Sequence, residues 1–249
     1  MKKTMLFAAI AAGFLAQADV ESANICGYQH VSIPEGWSTF TATFKNVGGT
    51  KFDLKQIIPC DAAGVPLTSS KNKVRIQKLG AEGEYDSTQY AFTTASGKGW
   101  NVISVSVEDG VVTFNNGEGF AVYNGQGAEI TFQVCGEVDL KPLNSCPTGW
   151  SVMGNSTPKA IDLKDIVLCD AAGVALTSSK NKVRIQMLAT SGEYDSTQYA
   201  YTTASGKGWN VNSVAVEAGA VMIQPGSGFA VYNGQGETVY LKLPAPVAE

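Results

Sequence analysis

A single histidine, His30, sets the first limit on the chemistry open to this chain, which repeats itself at a shift of 109 positions. A serine or cysteine nucleophile needs an imidazole within reach as its base. The position aligned with His30 in the second copy is Asp139, so a Ser-His-Asp or Cys-His arrangement would exist in one half only. Paired carboxylates are the stronger enzymatic candidate. Glu84 and Asp86 recur as Glu193 and Asp195, and glycoside hydrolysis needs an acid and a base on opposite sides of the scissile bond. Residues two apart on a strand share a face about 7 Å apart, but side by side on an exposed strand neither gains the burial that raises a pKa. These acids are expected instead to pair across a hairpin with Lys73 and Arg75, or with Lys182 and Arg184. No catalytic residue is assigned.

Metal and phosphate chemistry is thinner still. Asp61, Glu108 and Asp109 supply oxygens of the kind calcium needs, yet Asp109 becomes Ala218 in the second copy and no Asp-x-Asp-x-Asp run exists, so they read as turn acids. Zinc would call for Cys-x-x-Cys or clustered histidines, and neither occurs. The two Ser-Gly-Lys-Gly loops lack the following helix that would make them phosphate sites. No cofactor is expected.

Aromatic side chains carry more. Tyr90, Trp100 and Tyr123 recur as Tyr199, Trp209 and Tyr232, beside amides such as Gln89, Asn101 and Asn124. Flat aromatic faces next to hydrogen-bonding groups suit stacking on sugar rings. The competing reading makes Trp100 and Trp209 core fillers behind a turn. Trp37 and Trp150, each preceded by glycine near the start of a copy, read as core.

These residues sit in a framework that the repeat defines. Cys60 to Asn101 returns as Cys169 to Asn210, altered only at Pro66/Ala175, Lys78/Met187, Gly80/Ala189, Ala81/Thr190, Glu82/Ser191 and Phe92/Tyr201. Phe120 to Gly127 returns unchanged as Phe229 to Gly236, whereas Val102 to Gly119 has diverged heavily from its counterpart. Whatever the protein does, it is expected to do twice. Period-two alternation runs throughout, as in Lys73-Val74-Arg75-Ile76-Gln77, and glycine turns separate the segments. The expected fold is all-β: two tandem homologous β-sandwich or partly open barrel domains joined without a linker, with one helical turn near 53–57 and another near 162–166. Asn124-Gly125 is the strongest hairpin signal, tying Phe120 to Tyr123 to the strand that follows. That strand runs on into Val134-Cys135-Gly136, which aligns with Ile25-Cys26-Gly27.

The start of the chain has the charged, apolar and small-residue pattern of a secretory signal peptide over residues 1–18, giving a secreted or cell-surface protein with repeats at 19–136 and 137–249. Removing Lys2 and Lys3 takes two positive charges from a formal net charge of −4, leaving −6. An acidic chain without a basic stripe is a poor partner for nucleic acid, and no run is long enough for a transmembrane segment. In an oxidising compartment the repeat suggests Cys26–Cys60 and Cys135–Cys169 as equivalent disulfides, with pairing of Cys146 to Cys135 or Cys169 as the rival. In the first scheme Cys146 is left as a free thiol or an intermolecular cross-link.

Ala23-Asn24-Ile25-Cys26-Gly27-Tyr28-Gln29, then Gly99-Trp100, then Gly117-Glu118-Gly119-Phe120-Ala121-Val122-Tyr123 resembles the secreted bacterial β-repeat proteins of uncharacterised function that open with a Gly-Tyr-Gln strand and close with a Gly-x-Gly-aromatic hairpin. Gly226-Ser227-Gly228-Phe229 repeats the close, but Gly136-Glu137-Val138 replaces the opening. The resemblance implies an exported, surface or matrix-associated protein and carries over no catalytic residue. Three functions follow in order: an extracellular structural or interaction protein assembling head-to-tail through its edge strands, a tandem carbohydrate-binding module, and a secreted glycoside hydrolase. In the first, free ends at Ile25 to Val31 and Val239 to Leu243 would pair between molecules and grow filaments.

Overall fold

The computed structural model describes residues 25–79, 85–187 and 194–246. The export signal expected over residues 1–18 therefore lies outside the described residues, as do Glu84 and Glu193. The chain is all-β. Its first half forms β1 (Cys26–Ile33), β2 (Gly36–Thr41), β3 (Lys51–Asp53), β4 (Ile58–Asp61), β5 (Lys71–Leu79), β6 (Tyr85–Thr93), β7 (Gly99–Val102), β8 (Val105–Ser106), β9 (Thr113–Asn115), β10 (Gly119–Asn124) and β11 (Ile130–Glu137). The second half forms β12 (Leu143–Cys146), β13 (Gly149–Gly154), β14 (Ile161–Asp162), β15 (Val167–Cys169), β16 (Lys180–Met187), β17 (Tyr199–Thr202), β18 (Gly208–Val211), β19 (Val214–Ala215), β20 (Met222–Ile223), β21 (Gly228–Asn233) and β22 (Val239–Lys242). Among the described residues there is no α-helix. The expected helical turns are 3-10 turns at Leu54–Gln56 and Leu163–Asp165, each opened by an aspartate, Asp53 or Asp162, that accepts the Lys55 or Lys164 amide.

Each half builds the same sheets in the same order. The first has a three-stranded sheet β1-β11-β4, a six-stranded sheet β2-β10-β5-β6-β7-β8 and a ribbon β3-β9, all antiparallel and none closed into a barrel. The second repeats this as β12-β22-β15, β13-β21-β16-β17-β18-β19 and β14-β20. Alternation explains the core. Val74 and Ile76 of β5 point inward to meet Phe40, Phe120 and Phe132, and the equivalent layer in the second half is Val183, Ile185, Phe229 and Leu241. Burying each such side chain contributes about 1.5–3 kcal/mol.

The Asn-Gly step does not make a hairpin. β10 lies in the six-stranded sheet and β11 in the three-stranded one, so the chain crosses between sheets after Asn124, beside the crossing from β1 to β2. The cause is the Asn124 side chain, which is fully buried. Its Nδ2 donates to the Ile33, Pro34 and Ala128 carbonyls at 3.2, 3.2 and 2.8 Å, bracing both crossings. Neither Asn124 nor Gly125 takes the positive φ that a type I′ turn requires. Asn233 repeats the brace on the Cys146 and Glu237 carbonyls.

Strand pairing also revises the alignment of the repeats. Val134 to Gly136 pair with Gln29 to Gly27 inside the first half, so they close its sheet and do not open the second. Ile33 faces Ile130 and Cys146 faces Val239, which makes β12 the counterpart of β1 and puts Cys146 where Ile33 stands. Only residues 138–142 separate β11 from β12, and the Asp139 carboxylate holds them by accepting from Lys141 N at 3.1 Å and Asn116 Nδ2 at 2.6 Å. The last strand of each half, β11 or β22, is the central strand of its sheet. Val239 to Leu243 is therefore not the free edge that head-to-tail pairing needs.

The halves meet in a two-fold related contact. Thr41 at the end of β2 donates its amide to Gly226 O at 2.8 Å, and its counterpart Gly154 at the end of β13 donates to Gly117 O at 3.2 Å. Phe40 bridges Ser227 as Met153 bridges Glu118. Two glycines allow the approach: a Cβ on Gly119 would sit 2.6 Å from Val152 Cγ1, and one on Gly228 would sit 2.7 Å from Thr39 Cβ. Lys78 Nζ reaches Glu118 Oε1 at 3.1 Å and the Thr113 carbonyl at 3.0 Å, while their counterparts are Met187, Ser227 and Met222, so neither member of the pair stands in the second half.

Candidate functional site

The aromatic residues divide between the two faces of the six-stranded sheet. Trp100 and Trp209 are core, 3% and 2% exposed, and their indole N–H groups donate to the Ile57 and Ile166 carbonyls at 2.9 and 2.8 Å. Tyr90 and Tyr199 lie against the same core, where burial and then Asp86 or Asp195 push their phenols up. The two tryptophans present no flat face for stacking, and the two tyrosines are partly buried. Tyr123 and Tyr232 do point outward, and they meet tryptophans that the sequence reading had assigned to the core.

Trp37 faces Tyr123 across the β2–β10 pair with ring centroids 5.2 Å apart, and Trp150 faces Tyr232 at 5.3 Å. Trp37 is 37% exposed. Its position follows from alternation, since Phe40 is a core residue and Trp37, three residues earlier, falls on the opposite face. Next in the row stands Arg75, opposite Tyr123 and with its guanidinium carbon 5.7 Å from that ring. Ala91 and Asn101 continue it. The second half repeats the row as Trp150, Tyr232, Arg184, Ala200 and Asn210, and Trp150, Arg184, Gln198 and Tyr232 line one shallow groove. Four strand steps make each strip about 19 Å long. Each starts at the seam, because Thr39, two residues after Trp37, donates to Gly228 O at 2.7 Å.

The cross-hairpin ion pairs expected of Asp86 and Asp195 do not form, while those expected of Glu84 and Glu193 lie outside the described residues. Arg75 faces Ala91, about 16 Å along β6 from Asp86. Asp86 and Asp195 instead accept from the Thr88 and Thr197 amides at 3.0 Å and shape their own turns. Other acids do likewise. Asp61 accepts from the Ala63 and Val65 amides at 2.9 Å, and Asp109 pairs with Lys55 at 2.6 Å. Among the described residues no group of three His, Cys, Asp or Glu side chains could hold a metal ion, and no helix is long and apolar enough to cross a membrane.

His30 lies on the outer face of the three-stranded sheet. Its Nε2 meets the Tyr28 hydroxyl, and its Nδ1 lies 3.3 Å from Thr131 Oγ1, which donates to the Asp61 carbonyl. No nucleophile joins this chain of contacts, and the structural counterpart of His30 is Leu143.

The cysteines do not pair as expected. All five are free thiols, with Cys26 and Cys135 exposed and Cys60, Cys146 and Cys169 buried. Cys26 and Cys60 occupy the two outer strands of one sheet and face Glu137 and Thr131, six residues apart on β11, or roughly 20 Å. Cys135 and Cys169 belong to different sheets. Cys146 and Cys169 face Val239 and Tyr240, on opposite faces of β22. A disulfide needs Cβ atoms about 4 Å apart, which none of these pairings provides. Cys146 is fully buried in place of Ile33, and burial pushes its thiol up to about 12 against a small opposing pull from Ser151. It is a core residue and not a cross-link.

No protein-family model, curated protein or solved structure matches this chain.

Proposed function

We propose that this is an exported interaction protein that binds polysaccharide through two copies of one aromatic surface. The observation that carries the reading is the outward pair of Trp37 and Tyr123, backed by Arg75 and rebuilt as Trp150, Tyr232 and Arg184. An indole and a phenol side by side bury large flat area at little entropic cost, and the adjacent guanidinium, with the Gln198 amide in the second half, supplies hydrogen bonds to ring hydroxyls. The pair is half-exposed and stands in both halves, which favours a ligand over a purely structural role.

Glycan binding is preferred to head-to-tail assembly because the C-terminal strand is central in its sheet and the contact between halves is closed. The reading is tested by isothermal titration of the chain after residue 18 against a panel of soluble polysaccharides, with Trp37→Ala/Trp150→Ala alongside. The wild type should bind at least one glycan and the double variant none, with both keeping a cooperative melt. Failure of the wild type to bind any glycan overturns the reading.

A further inference from the structure

Among the described residues the cations of this surface meet carbonyls and an amide but no carboxylate, and their arrangement points to the kind of glycan. At the far end of the strip in the first half, Lys71, Asn72, Thr93, Lys98, Asn101 and Ser104 line a shallow pocket of about 280 Å³. In the second half, Asn181, Thr202, Lys207, Asn210 and Ser213 line its equivalent, with Lys180 in the place of Lys71 at the head of β16. No carboxylate lines either pocket.

The pockets are built rather than incidental. Lys98 Nζ donates to Ser104 O at 2.9 Å and Lys207 Nζ to Ser213 O at 2.9 Å, so each ammonium is held at the rim with donors to spare. Asn101 and Asn210 are 2% exposed and fix the floor by donating to the Ala91 and Ala200 carbonyls at 2.7 Å. They also reach Asn72 and Asn181, both held at φ 57.

Ion pairs among the described residues are Lys45–Glu137, Lys55–Asp109 and Lys78–Glu118. The last two lose their acids in the second half, where Ala218 and Ser227 replace Asp109 and Glu118. Lys71, Lys73, Arg75 and Lys98, which enter no ion pair among the described residues, recur as Lys180, Lys182, Arg184 and Lys207 within the repeated block. Four unpaired cations clustered on one face of a chain with net charge −4 repel one another, a cost that a bound anion relieves.

From these observations we infer that the ligand is an acidic polysaccharide, its rings on the Trp37–Tyr123 and Trp150–Tyr232 pairs and its carboxylate or sulfate groups in the two lysine pockets. The inference rests on the glycan-binding reading above. It refines the charge argument from composition, since the basic groups are local to this face and diluted in the total.

The test measures affinity of the chain after residue 18 for polygalacturonate, chondroitin sulfate, a neutral glucan and single-stranded DNA. Lys98→Met/Lys207→Met and the exposed Lys71→Met/Lys180→Met are measured beside the wild type, with melting temperatures as the folding control. Binding to one or both acidic glycans should fall at least about tenfold in each variant, as expected for lost charge-assisted contacts, with melting unchanged. Preference between the two acidic glycans assigns carboxylate or sulfate as the recognised group. Equal wild-type affinity for the neutral glucan, or binding unaltered in both lysine variants, overturns the charge inference while leaving glycan binding in place. Binding to DNA alone overturns both, as does binding to nothing.

Discussion

The Thr41 amide and the Gly226 carbonyl, 2.8 Å apart across the seam, have a two-fold mate in Gly154 and Gly117. A contact in which the same two surfaces exchange roles is isologous, and it closes on itself. One chain therefore already holds the equivalent of a dimer. Sedimentation velocity should show one monomeric species over a wide concentration range, with and without reductant. Growth into long species with concentration would contradict the closed seam.

The thiols should divide sharply. Cys26 and Cys135 lie exposed on the outer face of one strand pair, while Cys60, Cys146 and Cys169 are buried and have raised pKa values. A thiolate is the reactive form, so a disulfide reagent at neutral pH should modify two cysteines in the native protein and five after unfolding. Rapid native modification of Cys146 would place it outside the core.

Glu137 gives the fold a pH dependence. The Gly48 amide and then the Lys45 ammonium hold its carboxyl below the usual carboxylate range, clasping the 45–49 loop to the end of β11. A depressed carboxylate contributes stability that is present above its unfolded pKa and lost as pH falls through the folded one. Melting temperature should fall on acidification below about pH 4.5 more steeply in the wild type than in Glu137→Gln. Parallel pH curves would remove Glu137 from the account.

The paired loss of Lys78 and Glu118 in the second half predicts coupling. Lys78→Met leaves Glu118 without its cation and should cost about 1 kcal/mol or less, since both side chains are partly solvated. Adding Glu118→Ser, which copies the second half, should recover most of that cost in chemical denaturation. Strict additivity would show that the two positions drifted independently.

Alternation carried much of this fold in the sequence, because Val74, Ile76 and Phe40 alternate with polar neighbours wherever one face is buried. Applied strictly, it also places Trp37 opposite Phe40 and so on the surface. Reading the tryptophan by its size put it in the core. Asn124 failed for a different reason. Its hairpin signal depends on backbone preference, and here the side chain is committed to three carbonyls that come together only in the folded chain. The tight turn that does form uses Ile103 and Ser104, at φ 48 and 67, where a β-branched residue gives no local signal. Cys146 could be matched to Ile33 only through strand register, since a cysteine in an exported chain reads as a disulfide partner before it reads as a small hydrophobe.

The two-fold relation also sets what the paired surfaces can do. Each strip runs outward from the seam, so a polymer with direction meets the two in opposite senses and cannot satisfy both in one pass. The protein should instead bridge two glycan chains, with avidity for a polymer network. Light scattering of the protein mixed with polygalacturonate or chondroitin sulfate tests this most directly, comparing wild type, Trp150→Ala and Trp37→Ala/Trp150→Ala at matched concentrations. The account predicts large cross-linked particles with the wild type, binding without cross-linking for the single variant, and neither for the double. Equal scattering from the wild type and the double variant would contradict it.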